Sequence, residues 1–181
     1  MENDILSSNF FELFDVPVAY EIDLDLIQQR YRELQRAVHP DKFVNATAQE
    51  KRLSMQQTSW INEALNTLKQ PVERASYLLK LKGVDINLES ETTMDAGFLM
   101  EQIEMREALS EAGSKDNPFD ELDRINNDIK HKTNTMADCF SRAYAEGELD
   151  DAKEWIRKMQ FMQKAKKEVD ELLASIEDKL L

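Results

Sequence analysis

Apolar side chains recur along the chain at helical spacing, and no segment alternates with the two-residue period of a strand. In the first half, a brief helix is predicted over 10–16, and a second begins after the capping residue Asp23. It should end near Val38, because Pro40 excludes the preceding residue from the helical region. A third helix opens near Thr47, and Pro71 starts a short fourth. The stripes expected to face the core are Leu24, Ile27, Tyr31, Leu34 and Val38, then Leu53, Ile61, Ala64, Leu65 and Leu68, then Ala75, Tyr77, Leu78 and Leu79.

The second half predicts three longer helices. The first spans about 95–112, the second follows the break at 113–118 and ends at Gly147, and the third runs from about 150 to the terminus. Their inward stripes are Phe98, Gln102, Met105, Leu109 and Ala112, then Ile125, Ile129, Met136, Phe140 and Tyr144, then Trp155, Met159, Met162, Val169, Leu173, Ile176 and Leu180. Residues 82–93 read as a linker. The pattern therefore indicates an all-α chain whose C-terminal part is a three-helix bundle.

Charge narrows the class of partner. The 181 residues include 23 basic and 36 acidic side chains, a net charge of −13. This balance argues against binding nucleic acid or an anionic membrane surface, both of which require basic stripes. The imbalance is uneven, because residues 1–80 carry 9 basic and 12 acidic side chains while 81–181 carry 14 and 24.

The single cysteine, Cys139, cannot form an internal disulfide, which is typical of a reducing compartment. No apolar run approaches the roughly 20 residues of a membrane span. The acidic start lacks the basic region of a signal peptide. A cytoplasmic protein without cofactor or metal is the resulting expectation.

The break between the second and third helices carries His39-Pro40-Asp41-Lys42. Pro40 fixes its own φ and restricts His39, so two ionisable side chains are held on a rigid turn. One interpretation is a helix-ending loop in which Asp41 caps the next element. The other is a recognition loop for a partner protein.

Arginines on the preceding helix bear on that choice. Arg32 and Arg36 point nearly opposite to the apolar stripe, and Arg30 lies on its flank. They form either an ordinary solvated face or, beside the His39–Lys42 loop, a cationic surface for an acidic partner.

A second candidate surface lies on the helix that starts near 95. Leu99, Met100 and Ile103 fall roughly 140° from its core stripe. They form either an exposed interaction patch or one edge of a wide stripe buried between two helices.

Three strings carry a family resemblance, and they are His39-Pro40-Asp41-Lys42-Phe43, Pro71-Val72-Glu73-Arg74-Ala75-Ser76-Tyr77-Leu78-Leu79 and Phe98-Leu99-Met100-Glu101-Gln102-Ile103-Glu104-Met105-Arg106-Glu107. The helix, loop and helix around the first string resemble a J domain. The other two strings are similar to the HscB family of J-protein co-chaperones in iron–sulfur cluster assembly. The match runs from about 10 to the C-terminus, although 89–95 and 113–123 show no diagnostic pattern. The zinc-binding cysteine pairs of some eukaryotic members are missing, which favours a bacterial-type member.

The resemblance implies a J domain over 1–81, a linker over 82–94 and a three-helix scaffold-binding domain over 95–181. It implies that the first domain stimulates ATP hydrolysis by a DnaK-type chaperone, HscA, and that the second holds the scaffold protein IscU. The implied chaperone-binding residues are His39, Pro40, Asp41 and Lys42 with Arg30, Arg32 and Arg36. The implied scaffold-binding residues are Leu99, Met100, Ile103, Glu104, Glu107 and Phe161, the last lying off the core stripe of its helix.

Other functions stay open at this point. A J-protein with a different client fits the same motifs. An enzyme using His39 and Asp41 as an acid–base or metal pair is disfavoured, because no cysteine or second histidine lies nearby and no phosphate loop or nucleophile motif appears. A purely structural helical adaptor would leave the loop and its basic flank without a purpose. The chain itself is therefore expected to be an activator of a partner ATPase and not an enzyme.

Overall fold

Helices form all the regular secondary structure in residues 5–44, 46–86 and 95–180, the part of the chain that the computed structural model describes. At 179 and 180 only the backbone is described. The all-α prediction is confirmed. The chain divides into two units, Met1–Leu78 and Leu79–Leu181, which are taken in turn. Of the predicted linker over 82–94, residues 87–94 lie outside the described part, and the predicted domain limits stay a prediction.

The N-terminal unit is built on an antiparallel pair of helices. Its elements are α1 at Phe10–Leu13, α2 at Leu24–Val38, a 3-10 helix at Pro40–Phe43, α3 at Ala48–Lys69 and most of α4. Helix α4 spans Pro71–Leu81, and the unit ends at Leu78. The Asp23 carboxylate caps α2, and Thr47 and Glu50 form a capping box at the start of α3. These caps explain why both helices begin where the sequence indicated.

Asn62 joins the two long helices of this unit. Its Oδ1 accepts a hydrogen bond from the Tyr31 hydroxyl at 3.0 Å and another from the Gln35 amide at 2.7 Å. The apolar side of the same interface buries Ile27 and Ile61 completely. The α2–α3 pair is thus fixed both by apolar packing and by a shared acceptor.

Residues of α1 and α4 complete the N-terminal core. The Phe10 ring stacks on Tyr77 with centroids 4.3 Å apart, and the Phe10 N–H donates to the Tyr77 hydroxyl at 3.1 Å. Burial raises the pKa of that hydroxyl. The Arg74 guanidinium, buried against the Tyr20 ring, donates to the Leu68 carbonyl at 2.7 Å. Arg74 thereby supplies a partner for a carbonyl at the end of α3.

Two details of the predicted N-terminal half are wrong. Leu24 is exposed, because it is the first residue of α2 and lies beyond the contact with α3. The first helix spans only four residues and ends at Leu13, since Asp15 adopts the left-handed conformation with φ 52°.

The C-terminal unit contains α5 at Ala96–Ala112, α6 at Pro118–Glu146 and α7 at Leu149–Leu180. Asn117 caps α6 with Pro118 in its first turn, and Gly147 ends it at φ 80°. Most of the predicted stripes are buried, while Gln102, Tyr144, Trp155, Leu173 and Ile176 are half-buried, and the side chain of Leu180 lies outside the described part. The predicted three-helix bundle is present.

None of the helices in the described ranges is both long enough and apolar enough to cross a membrane.

Candidate functional site

The His39–Lys42 loop is a turn of 3-10 helix that follows α2. His39 has φ −57° and ψ 130°, the extended conformation that a residue before proline adopts. The Asp41 N–H donates to His39 Nδ1 at 3.2 Å, so the residue that caps this turn is His39. The interpretation in which Asp41 is the cap is wrong.

The same hydrogen bond favours one tautomer of a neutral imidazole. Because Nδ1 accepts from the Asp41 amide, its lone pair is in use and the proton of the neutral ring lies on Nε2. Asp41 Oδ2 lies 3.6 Å from Nδ1, a separation too long for a hydrogen bond, and both side chains are exposed. The Nε2–H and the Asp41 carboxylate are therefore presented outward as one donor and one acceptor.

Ser54 of α3 anchors the base of this loop. Ser54 is 1% exposed, and its hydroxyl donates to the Val38 carbonyl at 2.5 Å. Val38 is the last residue of α2, so its carbonyl has no partner within the helix. Sequence analysis missed Ser54, although a polar residue seven positions before the buried Ile61 was a usable signal.

The three arginines of α2 differ in their surroundings. Arg32 and Arg36 are exposed, as is Lys42 of the loop. Arg30 instead contacts Asp15 at 3.3 Å and Glu33 at 3.4 Å. Arg30 therefore ties α2 to the turn after α1, while Arg32, Arg36 and Lys42 contribute exposed positive charge near the loop.

The second candidate surface is the outer face of α5. Leu99 is 38% exposed, Met100 59% and Ile103 50%, whereas Phe98 and Met105 on the opposite side are buried. The alternative in which this sector is buried between two helices is therefore wrong. Glu104 and Glu107 are exposed on the same helix and give the apolar patch an acidic border.

Phe161 of α7 is half-buried rather than fully exposed. Its ring meets Phe98 edge-on with centroids 5.7 Å apart, and the Arg106 guanidinium lies 5.8 Å from its centroid. Phe161 thus supports α5 on one side and leaves part of its ring accessible.

In the part of the chain that the structure describes, no group of three or more His, Cys, Asp or Glu side chains is placed to hold a metal ion. Cys139 is half-buried, and the Arg142 guanidinium lies 3.6 Å from its Sγ. His131 is exposed on α6.

Comparison with known proteins identifies the family. Residues 94–170 match the family model described as the HSCB C-terminal oligomerisation domain. The chain is 45% identical over 179 residues to a co-chaperone protein HscB homolog of Shewanella pealeana, covering 96% of this chain and 99% of that one. A homolog from Shewanella loihica is 41% identical over 165 residues, covering 90% and 95%.

Solved structures of HscB proteins match this chain over both of its units. Chaperone HscB from Vibrio cholerae superposes with a TM-score of 0.84 at 35% identity, covering 96% of this chain and 100% of that one. Human co-chaperone protein HscB gives a TM-score of 0.83 at 31% identity, covering 91% and 81%. With these identities over nearly the whole length, the chain belongs to the HscB family of co-chaperones.

Proposed function

We propose that this chain recruits the iron–sulfur scaffold protein IscU to the DnaK-type chaperone HscA and stimulates ATP hydrolysis by that chaperone. In this proposal the His39–Lys42 loop acts on the chaperone, and the exposed face of α5 holds the scaffold protein. The chain performs no catalysis itself. The observation that carries the proposal is the coexistence, in an HscB-family chain, of an exposed His-Pro-Asp turn and an exposed apolar patch on different units.

The geometry of the loop supports the chaperone role. Its polar groups are not needed for the core, because His39 and Asp41 are exposed and the hydrogen bond between them lies within the turn. The turn is nevertheless held in one shape by Pro40 and by the bond from Ser54 to the end of α2. A preorganised polar turn loses little conformational entropy when a partner binds.

Charge supports an acidic docking surface on the chaperone. Arg32, Arg36 and Lys42 are exposed near the loop, on a chain whose net charge is −13. Local positive charge on an acidic protein directs an acidic partner surface to this region and raises the rate of association.

The face of α5 supports the client role. Leu99, Met100 and Ile103 are three large apolar side chains on one exposed helix face. Grouped apolar side chains at a surface mark interaction sites, and methionine adapts to the shape of its partner. Their acidic neighbours Glu104 and Glu107 favour a client surface with basic residues around an apolar centre.

The chaperone role is tested by His39→Gln. Steady-state ATPase activity of HscA is measured with increasing amounts of the full chain, together with circular dichroism. Stimulation should be lost while the helical signal is unchanged, because the imidazole lies outside the core. The matched control is His131→Gln, the same change at an exposed position of the C-terminal unit, which should stimulate like the parent. Full stimulation by His39→Gln would contradict the role assigned to the loop.

The client role is tested by changing Leu99, Met100 and Ile103 together to alanine. Affinity for IscU should fall at least about 30-fold, since a few central apolar anchors carry most of an interface's energy. The melting temperature should barely change, whereas truncation of core residues costs about 2–5 kcal/mol each. Met55→Ala, at an exposed methionine of the N-terminal unit, is the control for loss of a surface apolar side chain. A folded triple variant that binds IscU normally would place the client elsewhere.

A further inference from the structure

The start of α5 is fastened to the N-terminal third of α7 through one carboxylate. Oδ1 of Asp95 accepts a hydrogen bond from the Phe98 N–H at 3.0 Å and so caps α5. Oδ2 of the same residue accepts from the Lys158 ammonium at 2.5 Å. Asp95 and Lys158 are 63 positions apart in the chain, so this carboxylate links two helices that sequence alone does not bring together.

Lys158 is held much more firmly than an ordinary surface lysine. Its side chain is 11% exposed, although it belongs to the most strongly hydrated class of cation. The ammonium lies 4.6 Å from the centroid of the Trp155 ring and 5.5 Å from that of Phe98. Two aromatic faces and a carboxylate replace the water that it has lost. Hydrogen bonds from Lys158 and the Phe98 amide also lower the pKa of Asp95, which keeps that carboxylate ionised.

The fastening acts on the turn that carries the exposed patch. Leu99 and Met100 follow directly after Phe98, whose amide is bound by Asp95 and whose ring is buried against Phe161. With Phe98 fixed inward, the geometry of the helix directs the next two side chains outward. The first turn of a 17-residue helix otherwise has amides without partners and frays readily.

We propose that Lys158 is a positioning residue for client capture, which holds Asp95 and thereby presents Leu99 and Met100 in the orientation that the client binds. This inference rests on the proposed function, because it takes the outer face of α5 to be the IscU site. Lys158 does not need to touch the client. Its effect is to keep the first turn of α5 formed before the client arrives. The free energy of ordering that turn therefore does not reduce the affinity for the client.

The test compares variants of the full chain in calorimetric titrations with purified IscU. Lys158→Met keeps the length of the side chain and removes its charge, and it should raise Kd about three- to tenfold, because apparent affinity falls with the fraction of molecules whose first turn is formed. Lys158→Arg should recover most of the affinity, since a guanidinium also donates to a carboxylate and stacks on aromatic rings. Lys164→Met removes a charge from an exposed position of the same helix and should bind like the parent.

A second variant covers the case in which Lys158→Met destabilises the bundle. Asn is as good a cap as Asp, but Asp95→Asn removes the negative charge and replaces Oδ2 with an NH2 group that cannot accept from the Lys158 ammonium, so it keeps the cap and loses the contact with α7. It should also weaken IscU binding and speed hydrogen exchange of amides in the first turn of α5, with the melting temperature nearly unchanged. Because both changes break the same contact, their effects on Kd should not add in the double variant.

The inference is overturned if Lys158→Met and Asp95→Asn both bind IscU like the parent, or if Lys164→Met weakens binding equally. It is also overturned if their losses of affinity add fully. Failure of the proposed function looks different. In that case the parent does not bind IscU, or the triple alanine variant at Leu99, Met100 and Ile103 binds it normally, whatever happens at Lys158.

Discussion

Replacing Ser54 with alanine should destabilise the N-terminal unit by about 1–3 kcal/mol. Ser54 is 1% exposed, and its hydroxyl donates a hydrogen bond to the Val38 carbonyl at the end of α2. An ordinary hydrogen bond contributes only about 0.5–1.5 kcal/mol net, because water replaces a lost partner. Water does not reach this carbonyl readily, since Val38 is also buried, so the larger cost of an unsatisfied buried acceptor applies.

The two tryptophans allow this change to be measured in one unit. Trp60 lies in the N-terminal unit and Trp155 in the C-terminal unit, so a Trp155→Phe background leaves fluorescence that reports only the former. Urea unfolding should show a midpoint lower by about 1–3 M for Ser54→Ala, with an m value near 1 kcal/mol/M. Ser59→Ala, at an exposed serine of the same helix, should change stability by less than about 0.5 kcal/mol.

The functional consequence provides a second measurement. Because Ser54 holds the base of the His39–Lys42 loop, Ser54→Ala should stimulate the chaperone ATPase less than Ser59→Ala at equal concentration. Equal urea midpoints for the two variants would refute the assignment of Ser54 as the anchor. Lower stability with unchanged stimulation would show that the loop keeps its shape without this bond.

Three further predictions concern charge and backbone conformation. Association with the chaperone should slow as salt rises from low to physiological levels, where exposed Arg32 and Arg36 are screened beyond about 8 Å, and stopped-flow rates will show this. Hydrogen bonds from Thr47 lower the pKa of Glu50 below its usual 4.5, so the capping box stabilises α3 above that pH and loses its effect as pH falls through the lowered value. Thr47→Ala should flatten this part of a pH–stability profile. Gly147→Ala should cost about 1 kcal/mol in a thermal melt, because φ is 80° there.

The helices and the two candidate surfaces followed from local sequence rules. Spacing of apolar residues located each long helix, and the proline rule predicted the extended conformation of His39. The rotational phase of α5 separated Phe98, which is buried, from Leu99 and Met100, which are exposed. These features depend on residues close together in the chain, and helical geometry relates such residues directly.

The contacts that hold those surfaces in place were not predictable in the same way. Ser54 and Val38 are 16 positions apart, and Asp95 and Lys158 are 63 apart, so their pairing depends on how helices pack. The contact between Arg30 and Asp15 was not predictable for the same reason, because it requires the left-handed turn after α1. The roles of the site residues toward HscA and IscU remain predictions, which the proposed variants will test.

The double acceptor role of Asn62 has a consequence for how this chain chooses its structure. Tyr31 and Gln35 lie one helical turn apart, and one amide oxygen serves both only when α2 and α3 stand in a single register. A slide of about 5.4 Å, one turn, would leave polar groups without partners in a half-buried interface. Apolar stripes alone tolerate such a slide, because leucine and isoleucine pack in many arrangements. Asn62 therefore disfavours other alignments of α2 and α3. In the selected alignment, the end of α2 and the start of α3 flank the His-Pro-Asp turn.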